Sequence, residues 1–164
     1  MKSLAAIDTG HGKPLAVDEI EVPDPKPDQV LVKLYSSGVC HSQLHQMHNK
    51  ESARPFVMGH EGTGVVTKTG RDVTHLKEGD TAIVTWVPRM PTRGRRPTYM
   101  TGATYHEQPL NGMVWTWGED VLALSDYVVK VASDVPKGAS SIVGCAVLTG
   151  AGAVLNTARP RPGA

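Results

Sequence analysis

A thiol, three imidazoles and a hydroxyl fall within nine residues in Cys40-His41-Ser42-Gln43-Leu44-His45-Gln46-Met47-His48. Further along, Gly59-His60-Glu61-Gly62-Thr63-Gly64 sets an imidazole and a carboxylate at the entrance to a glycine-rich stretch. Thiolate and neutral imidazole are ligands that zinc prefers, and a catalytic zinc takes three protein ligands while one position stays open. Cys40, His60 and Cys145 would make such a set. Spacing alone does not establish it: 20 positions separate Cys40 from His60, 85 separate His60 from Cys145, and no CxxC pair occurs. Taken singly, Cys40 and Cys145 also read as small buried hydrophobes, and His60 as a structural hydrogen-bonding residue.

Short strands must position these groups. Gln29 to Tyr35 is the strongest strand pattern and ends just before the first cluster. Gly62 to Thr69 and Asp80 to Trp86 are two more, divided by Gly70 and Glu78-Gly79-Asp80, good turn chemistry. Leu15 to Val22 alternates with a change of face that suggests a bulge, and Pro23, Pro25 and Pro27 end it. Met113 to Trp117 and Asp126 to Val131 are expected to complete a small barrel. Helix is expected over His41 to Asn49 and from about Ser140 to Ala158, stopped by Pro160 and Pro162. Val87 to Gln108 shows no periodicity and carries Arg89, Arg93, Arg95 and Arg96. It reads as a solvated loop, with a phosphate-binding patch as the sharper alternative.

The 164 residues make one domain, and 17 glycines with 12 prolines favour many short elements over a helical bundle. A net charge of +1 gives no field to draw in nucleic acid or an anionic membrane, so neither is expected as a partner. Asp8 interrupts the N-terminus too early for a signal peptide, and no run approaches the roughly 18 apolar residues of a membrane span. The two cysteines are therefore expected to be thiols or metal ligands in a cytoplasmic protein.

Gly59-His60-Glu61 followed by Gly64, Gly70 and Val73 resembles the signature of zinc-dependent medium-chain alcohol dehydrogenases. Gly38-Val39-Cys40-His41-Ser42 resembles that family's first zinc-ligand motif, and Gly144-Cys145-Ala146-Val147-Leu148-Thr149-Gly150 its third. The motifs stand in the family's order and cover roughly the first half of a member. The resemblance implies a mainly β (α+β) fold: a GroES-like, partly open β-barrel with a few short helices and a C-terminal linking helix. Residues 1–164 would be the zinc-binding catalytic domain, with 140–164 the truncated link to a nucleotide-binding domain.

The resemblance also implies roles. Cys40, His60 and Cys145 would hold a catalytic zinc that acts as Lewis acid on a bound alcohol, and Glu61 would sit behind it as an occasional alternative ligand. Ser42 would hydrogen-bond the substrate hydroxyl and His45 would pass its proton to solvent; a helix cap and an exposed helix residue are their plainer readings. His41 would lie near the cofactor pyrophosphate and Thr149 near the nicotinamide. The implied substrate is a small alcohol or aldehyde, and a homo-oligomer is compatible with the family.

Three departures qualify these expectations. Many members carry an aspartate where this chain has Gln43; the amide is expected to accept the hydrogen bond of a ligating imidazole without bringing charge, which weakens metal binding. No cysteine lies between Cys40 and Cys145, so a second, structural zinc is not expected. No strand-GxGxxG-helix unit occurs, so NAD or NADP would be bound only with a Rossmann domain supplied as a separate or missing partner, and the isolated chain is expected to be inactive. The alternative is a non-enzymatic zinc-binding or protein-interaction module derived from the same family.

Overall fold

The fold was obtained as a computed structural model that describes residues 1–89, 100–112, 114–161 and 163. Among the described residues, ten strands and a few short helices follow in the order β1 (Lys2–Asp8), β2 (Ala16–Glu21), β3 (Gln29–Ser37), α1 (His41–His48), β4 (Phe56–Val57), β5 (Gly62–Thr69), β6 (Thr81–Val84), β7 (Met100–Tyr105), β8 (Gln108–Asn111), β9 (Asp120–Leu124), β10 (Val128–Lys130) and α2 (Lys137–Ser140). A final helical run joins α3 (Leu148–Gly152) to the wider π-type turns Val143–Val147 and Ala153–Ala158 on either side of it.

Strands β1-β2-β7-β8-β4 close into a ring, and β10-β6-β5-β3-β9 form an open five-stranded sheet. The expected mainly β, GroES-like half-open barrel is therefore present. β3 is an inner strand of the open sheet, paired with β5 on one side and the edge strand β9 on the other, and Val30, Leu31 and Val32 are all buried. An inner strand covered on both faces explains a continuous apolar run in place of alternation. Ile7, Ile20, Val22 and Trp115 join the same core from the ring and its crossover. No helix among the described residues is long and apolar enough to cross a membrane.

Several elements depart from the sequence expectations. β1 and β2 pair without interruption from Lys2↔Glu21 to Ile7↔Ala16, so the bulge expected in β2 is absent. Val17 instead faces solvent at 74% exposure. β1, β7, β8 and β9 were not anticipated, whereas Val114 to Trp117 is irregular backbone that leads into β9. Its backbone bonds to the ring: Trp117 N–H donates to Met58 O at 2.9 Å, and Ala6 N–H donates to Trp117 O at 2.8 Å. The expected strand over Asp126 to Val131 is shortened to β10 by a 3₁₀ turn at Ser125–Tyr127. The latter part of the segment read as a loop forms β7, while Arg93, Arg95 and Arg96 lie outside the described residues.

Candidate metal centre

Cys40, His60 and Cys145 come from three separate elements and place their ligand atoms within 4.8 Å of one another. Cys40 is the N-cap of α1, reached from β3 through Ser37, Gly38 and Val39. His60 lies in the connection from β4 to β5, and Cys145 lies in the first turn of the C-terminal helical run. Both sulfurs are free thiols and half-buried. His60 Nδ1 meets Gln43, whereas its Nε2 is buried with no hydrogen-bond partner. A buried imidazole nitrogen without a partner is costly, and it stands beside two thiols. Tetrahedral zinc with bonds of about 2.0–2.3 Å needs ligand atoms about 3.3–3.8 Å apart, a span that falls inside the 4.8 Å within which these atoms lie. The residues fit a zinc ion.

The backbone around this trio is held by close packing at Gly59 and by a set of buried hydrogen bonds. Gly59 has φ +93, and a side chain there would also meet Thr116 Oγ1 at 2.5 Å. Thr116 Oγ1 accepts from Glu61 N–H at 3.2 Å and from Ser37 Oγ at 2.9 Å, and donates to Glu61 O at 3.0 Å. Glu61 is 1% exposed. Its Oε2 accepts the backbone N–H of Cys145 at 2.9 Å and of Ala146 at 3.3 Å. In this arrangement Glu61 anchors the turn that carries the third ligand. Thr85 Oγ1 donates to Gly144 O at 2.6 Å and ties the same turn to the end of β6.

The electrostatics of the three ligands differ. The Ser42 hydroxyl and then the Ser42 N–H hydrogen-bond the Cys40 sulfur and hold its thiol below the ordinary cysteine value. Burial, followed by the neighbouring Cys40 charge, pushes the Cys145 thiol up. Burial lowers His60 against the opposing pull of Glu61, which keeps the ring neutral as a ligand must be.

Gln43 corrects one expectation. Its Oε1 accepts the Cys40 backbone N–H at 2.7 Å, so its amide nitrogen faces His60 Nδ1 at 2.8 Å and donates to it. The sequence reading had the amide accepting from the ring. A backbone N–H can only donate, and it claims the single oxygen.

A cavity of about 280 Å³ opens beside the trio, bounded by Ser42, Phe56, Val57, Trp86 and Val114. Trp86 was not singled out in the sequence, yet its ring centroid is 6.2 Å from that of His60 and its indole hydrogen-bonds Cys145. An aromatic residue at the end of β6 was its only signal. Ser42 and His45 are both exposed on α1, three positions apart and so on one face. The His45 ring also meets His41 edge-on at 4.8 Å. His41 and Thr149 are exposed.

Comparison with known proteins agrees with this architecture. The alcohol dehydrogenase GroES-like domain family matches residues 26–137. S-(hydroxymethyl)glutathione dehydrogenase of Escherichia coli is 33% identical over 99% of this chain and 51% of its own length. An alcohol dehydrogenase zinc-binding domain protein from Burkholderia ambifaria superposes with a TM-score of 0.87 at 26% identity, over 98% of this chain and 50% of that one. Benzyl alcohol dehydrogenase from Acinetobacter calcoaceticus superposes with a TM-score of 0.81 at 25% identity, over 95% of this chain and 48% of that one. The chain spans about half the length of the curated relatives it matches.

Proposed function

The chain belongs to the alcohol dehydrogenase GroES-like domain family, and from that premise we propose that it is the catalytic-domain portion of a zinc-dependent alcohol dehydrogenase acting on small alcohols or aldehydes. The observation that carries this reading is the convergence of Cys40, His60 and Cys145 within 4.8 Å beside a cavity. When bound, zinc supplies a Lewis acid that polarises an alcohol or carbonyl oxygen. Cys40, His60 and Cys145 would hold the ion, with two thiolates to balance its charge, and three protein ligands would leave one position open.

The chain's own residues do the rest. Phe56, Val57, Trp86 and Val114 give the cavity an apolar wall that shields the reacting carbon from water. Ser42 lines the cavity, so its hydroxyl oxygen can accept a hydrogen bond from a substrate hydroxyl placed there and take that proton only as it hands on its own. His45 on the same face of α1 passes that proton to solvent. Glu61 keeps Cys145 in place, and its carboxylate would have to leave the Cys145 and Ala146 N–H groups to serve as an alternative ligand. His41 and Thr149 lie on accessible surface suited to a nicotinamide cofactor, NAD or NADP, held by a Rossmann domain.

Cobalt(II) substitution tests the reading directly. The expected result is a thiolate charge-transfer band, with ligand-field bands that shift when a primary alcohol or an aldehyde is added. Ligand-field bands unmoved by either compound would contradict an open position that accepts substrate oxygen.

A further inference from the structure

We propose that Gln43 sets the metal affinity of this site by fixing the tautomer of His60 in the metal-free protein. The inference rests on the zinc centre described above and adds a residue that tunes it. The Cys40 N–H is an obligatory donor at 2.7 Å from Gln43 Oε1, and Gln43 is 1% exposed, so the orientation of the amide is dictated by the backbone. The amide nitrogen then donates to His60 Nδ1 at 2.8 Å. In a neutral ring whose Nδ1 accepts, the single proton sits on Nε2. That is the buried, partnerless nitrogen that must offer its lone pair to the metal.

Metal binding therefore requires a rearrangement whose hydrogen bonds do not balance. The ring proton leaves Nε2 and returns through solvent to Nδ1. The amide turns over so that Oε1 accepts the new Nδ1–H. The Cys40 N–H then faces the amide NH₂, donor against donor, beside a Gln43 side chain that is itself 1% exposed. Two hydrogen bonds are broken and one is made. A carboxylate in the same place has an oxygen for each N–H and meets the metal-ready tautomer without rearrangement. Gln43 is a positioning residue in this sense: it acts on the metal through His60.

The test combines ¹⁵N NMR of the His60 ring in the metal-free wild-type protein with competitive zinc titration of wild type and Gln43→Glu at mildly alkaline pH. The expected tautomer is Nε2–H in wild type and Nδ1–H in the variant, and the variant should bind zinc roughly 10- to 100-fold more tightly, the usual weight of such a partner. An Nδ1–H tautomer in the wild-type protein overturns the inference, and that measurement needs no variant. Equal zinc affinity with zinc bound to both proteins also overturns it, while leaving the zinc centre standing. Failure of both proteins to bind zinc overturns the centre itself, and the inference with it.

Discussion

Glu61 Oε2 accepts the backbone N–H of Cys145 at 2.9 Å, joining the residue after one ligand to the turn that carries another. The same oxygen takes Ala146 N–H at 3.3 Å, and the carboxylate lies against Gly38, just before Cys40. One buried side chain thus ties together the three segments that bear the ligands. Glu61→Ala would leave two backbone donors without an acceptor, at a cost of about 1–3 kcal/mol each if they stay buried. Urea unfolding should show that loss, and zinc affinity should fall with it. Glu61→Gln keeps one acceptor oxygen and should lose less in both measurements. Equal stability of Glu61→Ala and wild type would show that the anchor is dispensable.

Gly38 should be intolerant of even one methyl group. A Cβ there would lie 2.6 Å from the Glu61 carboxylate carbon and Oε1. Gly38→Ala must displace that carboxylate, which is held by the backbone N–H groups of Cys145 and Ala146. We expect a loss of about 1–3 kcal/mol, typical of overpacking, together with weaker zinc binding. Thermal unfolding and zinc titration of the variant measure the two effects.

Arg54 holds α1 against the barrel. Its Nε lies 3.0 Å from Asp8 Oδ2, with side-chain exposures of 10% and 5%. Its remaining nitrogens donate to the carbonyls of Ser52, Met47 and Asn49, around the end of α1. Arg54→Met would strand the Asp8 carboxylate and should cost about 3–5 kcal/mol. Asp8 also accepts Gly10 N–H at 3.1 Å, so Asp8→Asn with Arg54→Met should recover part of the loss and not all of it. A double-mutant cycle by urea unfolding reads this coupling; strictly additive losses would contradict it.

Acid should expose a second, unrelated ion pair. Lys130 Nζ lies 2.7 Å from Asp80 Oδ1, and Lys77 N–H donates to Oδ2 at 3.0 Å. The bond from Lys130 is the main reason the Asp80 carboxyl sits below its usual value. With the folded value below the unfolded one of about 3.9, ionised Asp80 stabilises the fold above that pH, and the contribution is lost as pH falls through the depressed folded value. Asp80→Asn should therefore be less stable than wild type at neutral pH, with the gap closing in acid. A gap that stays constant with pH would contradict the assignment.

Residue type and order made the centre legible. Cys40, His60 and Cys145 were recognisable because few residue types serve zinc and three motifs stood in sequence. Their convergence depends on how two sheets meet, and short-range spacing carries no trace of that. β1 was hidden because its buried face is Ser3, Ala5 and Ile7, two of them small. β7 and β8 were hidden by their turn. His106 and Glu107 both take positive φ, at +47 and +64, where Asn-Gly would have marked a hairpin. The orientation of the Gln43 amide was out of reach for a different reason: a backbone N–H from Cys40 decides it, and composition says nothing about backbone geometry.

Metal analysis of the purified protein tests the central claim most directly. The account predicts about one zinc per chain, as a three-ligand site requires, in the wild-type protein, and its loss in Cys40→Ala, His60→Ala and Cys145→Ala while circular dichroism shows the β fold retained. Equal zinc in the wild type and in all three variants would contradict it.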